Sequence, residues 1–263
     1  VTSPKPPPGL APGDRPRPRL AVSSCLLGAP VRYNGGHSRD RFLTGALAAH
    51  VDWVPVCPEI EIGLGAPRPT LRLLSDGRIV TKDRTCDHTD AMTGLADDRL
   101  PDLAGVDGYV FKSRSPSCGL LSLPRYASGR PGERTDGQPV DRRGRGVFAA
   151  LVTDALPHLP AEEDGRLRDP VLREHFVERV FAHARLRELF AGDWSPRALV
   201  AFHSRHKLLS QGHRPDAMEY RGVGWPWYSR STPPRKTLGW KTLAEVFNVH
   251  LNSLLNGGVV TTP

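Results

Sequence analysis

Lysine is scarce in this sequence. It occurs only at positions 5, 82, 112, 207, 236 and 241, so nearly all of the 36 basic residues are arginine. Against 28 acidic residues they leave a net charge of +8, without the lysine blocks of a polybasic tail. An arginine bias follows from GC-rich coding as readily as from function; where it is functional, the guanidinium fork suits phosphate. Cysteine is sparse too. Four in 263 residues exclude a disulfide-rich secreted scaffold, and the lack of any C-x-x-C pair excludes zinc-ribbon spacing. No apolar run approaches the ~18 residues of a membrane-spanning helix, and no secretory leader is recognisable. The expected setting is cytoplasmic and reducing, with no membrane partner. There, dispersed cysteines mean metal or catalysis more often than disulfides.

Proline and glycine are plentiful, 26 of each, and break the chain into segments. Residues 1–18 are rich in proline, glycine and arginine without periodicity and read as a disordered leader. Residues 19–160 read as an α/β domain. Strands are expected at 20–24, 52–56, 78–80 and 108–111, and helices near 40–50, 90–95 and 147–156, with a charged loop over 129–146. From residue 168 the pattern turns helical. Asp169-Pro170 suits a helix start and Gly192 a stop, with Leu172, Phe176, Val180 and Ala184 on one stripe. A second helix is expected from Ser195-Pro196 to Gly212.

Three of the expected strands run into a cysteine. Residues 20–24 lead to Cys25, residues 53–56 to Cys57-Pro58-Glu59, and residues 108–111 to the octapeptide Lys-Ser-Arg-Ser-Pro-Ser-Cys-Gly at 112–119, which holds Cys118. In a parallel α/β sheet, ligands bind beyond the carboxyl ends of the strands, so three thiols at three strand ends form one edge site. Cys86 sits in a polar segment and is the odd one out. Spacing alone leaves three readings open. They are a four-thiolate zinc or cluster site, a three-thiolate cluster with one open iron, and buried free thiols. Glu59 beside Cys57 and the serines 115 and 117 around Cys118 add groups suited to proton transfer. Burial near a cluster would raise such a carboxylate's pKa toward the range of a general acid or base.

Three blocks together resemble the thiouracil desulfurase family: Ser24-Cys25-Leu26-Leu27-Gly28 with Val31-Arg32-Tyr33-Asn34-Gly35; Val56-Cys57-Pro58-Glu59 with Pro67-Arg68; and the octapeptide ending in Cys118-Gly119. The resemblance spans residues 19–155. It implies a 4Fe–4S cluster on Cys25, Cys57 and Cys118, with Glu59 and Ser117 as catalytic residues and Ser24, Arg32, Asn34 and Ser115 around the substrate. The implied chemistry is removal of sulfur from thiolated uracil without net redox change.

Residues 169–181 and 202–209 resemble the helical domain of YbgA-like proteins, a domain spanning residues 168–220 here and shorter than expected. The fusion resembles tRNA 4-thiouridine desulfidases, which implies tRNA as the substrate carrier. Arg179, Arg185, Arg187 and Arg205 are its candidate phosphate contacts. Residues 221–263, with Pro234-Arg235-Lys236-Thr237-Leu238-Gly239-Trp240-Lys241 at their centre, resemble the C-terminus of DDE insertion-sequence transposases and imply a gene interrupted by a mobile element. The expected architecture is α/β: a small parallel-sheet domain with cysteines at strand C-termini, followed by a truncated α-helical domain. Two rival functions fit the same residues. One is a basic RNA-binding protein with structural zinc, which would need Cys86 and tolerate loss of Glu59. The other is an inactive remnant of the desulfidase.

Overall fold

The computed structural model describes residues 16–129, 137–191, 195, 197–198 and 201–202. In chain order, strand β1 is Arg19–Ser23, β2 Asp52–Val56, a single-turn helix α1 Pro58–Glu61, β3 Leu71–Leu74 and β4 Ile79–Thr81. Helix α2 is Thr89–Ala104, followed by β5 Gly108–Phe111, β6 Leu123–Tyr126, β7 Asp141–Gly144, α3 Val147–Ala155, β8 Ala161–Glu163 and α4 Pro170–Ala191. The main sheet has the order β2-β1-β5-β8 and every pair is parallel. Such a sheet is buried on both faces, so its strands read as continuous apolar runs. Leu20, Ala21 and Val22 of β1 and all four residues of β5 are buried accordingly. Strand β2 lies at the edge, where Pro55, which has no N–H to donate, is tolerated.

One face of the sheet carries the main core. Ala21, Tyr109 and Phe111 pack with Met92 and Ala96 of α2 and with Phe148, Ala149 and Val152 of α3. Helix α2 outruns the expected 90–95 because Pro101 is held inside it. Its buried Met92, Ala96 and Leu103 offset the hydrogen bond that proline forfeits. The helix expected at 40–50 is instead a wide π-helical stretch over Phe42–Leu47. Thr44 returns its hydroxyl to the Asp40 carbonyl at 2.8 Å, which competes with the α-helical ladder.

A second sheet of order β4-β3-β6-β7 mixes two antiparallel pairs with a parallel one. Strand β7 lies inside the segment expected to be a loop. Its Asp-Arg-Arg-Gly sequence has no apolar alternation and is held by Arg125, which pairs with Asp141 at 2.6 Å across the sheet.

The chain divides into two compact units, Val1–Phe176 and Val177–Pro263. The first contains both sheets, and its fourth parallel strand, β8, lies beyond residue 160. Of the second, the described part is mainly the remainder of α4, which buries Val180, Ala182, Ala184 and Leu186. Asp169 caps α4 as expected, its Oδ1 accepting from the amides of Val171 and Leu172 at 2.8 and 3.2 Å. Arg179 is buried, which removes it from the solvent-facing phosphate contacts; Arg185 is exposed. Most of the residues after 191, with the second expected helix, Arg205 and the tail, lie outside the described residues. Among the described residues no helix is long and apolar enough to cross a membrane.

Candidate functional site

Strands β2, β1 and β5 are neighbours and parallel, so their carboxyl ends open on one edge of the sheet. Each delivers one cysteine there. Cys25 lies in the single 3-10 turn Ser24–Leu27 that follows β1, a turn closed by Gly28 in the left-handed region at φ 104°. Few side chains adopt that conformation. Cys57 directly follows β2 and is the N-cap of α1. Cys118 comes later, in a tight turn where the Ser115 hydroxyl accepts from the amides of Ser117 and Cys118 at 3.3 and 3.2 Å. Helix α3 fixes this turn. Val147 and Ala149 donate their amides to the carbonyls of Pro116 and Ser117, and Gly146 donates to Gly119.

Cys25 and Cys118 both sense the charge of Cys57. Burial pushes Cys25 up to about 11, with the charge of Cys57 adding to the rise and the Lys112 ammonium opposing it. Burial also raises Cys57, partly offset by the Ile60 amide. Cys118 is pushed well above the ordinary thiol range by burial and then by Glu59, Cys57 and Cys25. Without a cation, then, these sulfurs keep their protons. A metal centre supplies the positive charge that thiolates at such a site need. The soft, three-sulfur donor set fits an iron–sulfur cluster. Among the described residues no group of three or more His, Cys, Asp or Glu side chains could hold a metal ion. Cys86 is exposed in the loop after β4, where its backbone bonds Thr81.

Glu59 joins two of the three cysteine segments. Its Oε1 accepts from Ser117 Oγ at 2.8 Å and from Ser115 Oγ at 3.2 Å. Its Oε2 accepts from Arg68 Nε at 2.9 Å and forms an ion pair with Arg68 Nη2. Arg68 is almost wholly buried and also donates to the carbonyls of Val31 and Gly65. Its own amide donates to the Tyr33 carbonyl at 2.8 Å. The Arg32–Asn34 loop is thus tied to the partner of Glu59.

The remaining expected residues fall in different places. Ser24 is half-buried at the start of the Cys25 turn. Arg32 is close enough for its charge to act on Cys25, and its guanidinium lies 5.6 Å from the Tyr33 ring centroid. Asn34 is exposed, and its Oδ1 is engaged in the loop by the Gly36 amide at 3.1 Å. Ser117 is fully buried against Glu59. Sequence reasoning assigned no role to four groups that build the site. Arg68 stands out in the sequence only as part of the Pro67-Arg68 pair. Ser23 is buried, accepts from the Lys112 amide at 2.9 Å and hydrogen-bonds the Cys118 thiol. Glu163 Oε1 accepts from the amides of Leu120 and Leu121. Asp164 accepts from the Ser113 amide and from Lys112 Nζ at 2.7 and 2.9 Å. The two acidic residues pin both ends of the Cys118 segment from the end of β8; the signal was the run Glu162-Glu163-Asp164, just past the expected boundary.

Residues 20–164 match the family model described as 2-thiouracil desulfurase. The chain belongs to the 2-thiouracil desulfurase family. The match ends at the residue that closes the Cys118 segment, Asp164, so all the groups above lie inside it. Among solved structures, a [4Fe-4S]-dependent thiouracil desulfidase, TudS, is 30% identical over 60% of this chain and 97% of its own, with a TM-score of 0.45. No curated protein matches the chain.

Proposed function

We propose that the protein removes sulfur from thiolated uracil, carried as 4-thiouridine in tRNA, by a hydrolysis that uses a 4Fe–4S cluster held by Cys25, Cys57 and Cys118. The observation that carries this reading is the meeting of Cys25, Cys57 and Cys118, at the ends of three parallel strands, with the Glu59–Ser117 pair at one sheet edge. When bound by three thiolates, such a cluster offers one iron without a protein ligand, a soft Lewis acid suited to a thiocarbonyl sulfur. The chain's own residues handle protons and position. Glu59 Oε1, held by the two serine hydroxyls, is the atom placed to take a proton from an attacking water and return it to the leaving group. Arg68 occupies the other oxygen and fixes the carboxylate plane. Ser117, buried and donating to Glu59, relays or orients that proton. The net charge of +8 favours a polyanionic substrate, since neutralised phosphates supply most of the sequence-independent affinity.

Anaerobic purification with iron, sulfide and zinc analysis tests this. About four iron and four sulfide per chain are expected, lost in Cys25→Ala, Cys57→Ala and Cys118→Ala and kept in Cys86→Ala. Thiolated tRNA should be turned over faster than free thiouracil. Stoichiometric zinc that depends on Cys86 would establish the RNA-binding alternative instead.

A further inference from the structure

Tyr109 is the largest side chain in the main core with a polar atom at its tip. It stands in the middle of β5, opposite Ala21 of β1 and Ala161 of β8. It is fully buried, and its ring stacks on Phe111 with centroids 3.7 Å apart. Its hydroxyl has no hydrogen-bond partner among the described residues. A buried tyrosine hydroxyl normally finds one, and an unmade bond costs about 1–3 kcal/mol. Phe111, two residues along on the same face, shows that a ring without the oxygen packs equally well in this core.

The surroundings of the hydroxyl narrow its partner. The charged and titratable groups that act on it are Cys118, Glu61, Cys57 and Arg99. Glu61 is already engaged, Oε1 by the Cys57 amide at 2.9 Å and Oε2 by Arg99 Nε at 2.7 Å. Arg99 is a donor and accepts nothing. Among the described residues no oxygen or sulfur, those of Glu61 included, stands in hydrogen-bonding position to the hydroxyl, and of the two sulfurs whose charge acts on it Cys118 shares its packed cluster. We infer that Tyr109 is a positioning residue whose hydroxyl donates a hydrogen bond to sulfur on the Cys118 side of the metal centre. This rests on the proposed cluster and adds a group to it from the core side, where no solvent reaches. Hydrogen bonds to cluster sulfur raise the reduction potential and hold the ligand sulfur in place.

Tyr109→Phe removes one oxygen and preserves the ring stack. In the cluster-loaded protein the variant should show a lower reduction potential and a several-fold shorter cluster lifetime in air. The metal-free variant should melt at the wild-type temperature or above, because there the substitution only relieves an unpaired hydroxyl. An unchanged potential and lifetime would overturn the inference while leaving the cluster reading intact. So would an equal change in melting temperature in both forms, which would mark a purely structural role. A wild-type protein that binds no iron and sulfide after anaerobic reconstitution would overturn the cluster reading and the inference with it, and the metal analysis separates that case from the other two.

Discussion

At the scale of single residues, the site rests on one buried ion pair. Glu59 and Arg68 are both largely shielded from water, and such pairs are costly to break from one side because the remaining charge stays buried and unpaired. Arg68→Ala should therefore destabilise the protein by about 3–5 kcal/mol in chemical denaturation. Adding Glu59→Gln should recover part of that loss, since no lone carboxylate remains; a double variant as unstable as the sum of the single ones would contradict the pairing. Glu59→Gln alone should keep the iron and sulfide content and lose at least ~100-fold in turnover, the usual contribution of a general acid or base. Near-normal turnover in that variant would remove Glu59 from the chemistry. Asn34 shows the opposite case. Its oxygen is occupied by its own loop, so its contribution is to the shape of the Arg32–Gly36 turn.

At the scale of elements, helix α3 is the scaffold of the Cys118 segment. Its first residues donate to the carbonyls of Pro116 and Ser117, and Gly146 makes the close approach possible. A Cβ at Gly146 would stand 2.5 Å from the Ser117 carbonyl oxygen and 2.8 Å from the Cys118 nitrogen. Both are backbone atoms, so no side-chain rotation relieves the clash. Gly146→Ala should cost about 1–3 kcal/mol, the range for overpacking, and should lower cluster content by moving Ser117 and Cys118 together. Metal analysis and a melting curve check this, and a fully loaded variant of normal stability would show that the loop has slack. Strand β8 works from the other side, through Glu163 and Asp164. A short strand that packs little thus decides where the third cysteine goes.

At the scale of the molecule, the buried thiols link stability to pH. Cys25 ionises at about 11 in the folded, metal-free protein against an ordinary value of 9.0, and Cys57 and Cys118 are shifted the same way. A thiol whose folded pKa is raised contributes stability that is fully present below the unfolded value and is lost as pH climbs toward the folded one. The metal-free protein should lose stability between about pH 9 and 11, with on the order of 2–3 kcal/mol from Cys25. Thermal melts across that range test it, and Cys25→Ser should flatten the slope; a wild-type melting temperature independent of pH would show that the thiols are not buried as described. In the loaded protein the dependence should shrink, because metal-bound thiolates carry no proton to lose.

The sequence by itself determined three of the four parallel strands and the cysteines that follow them, because continuous apolar runs and strand-terminal residues are local signals. It also determined the start of α4, where Asp169-Pro170 caps as their chemistry dictates. Only the tertiary structure decided what surrounds the cysteines. Arg68 reaches Glu59 across nine residues, Ser23 and Lys112 meet across 89, and Asp164 pins Ser113 across 51; no periodicity encodes such pairs. Of the second sheet the sequence signals only β4, the strand expected at 78–80. Its strands are three or four residues long, too short for an alternation to register, and β7 is held by a cross-strand ion pair and not by an apolar face. Tyr109 read simply as one more apolar residue of a buried strand; only the packed core reveals a hydroxyl enclosed beside the sulfurs with no partner of its own.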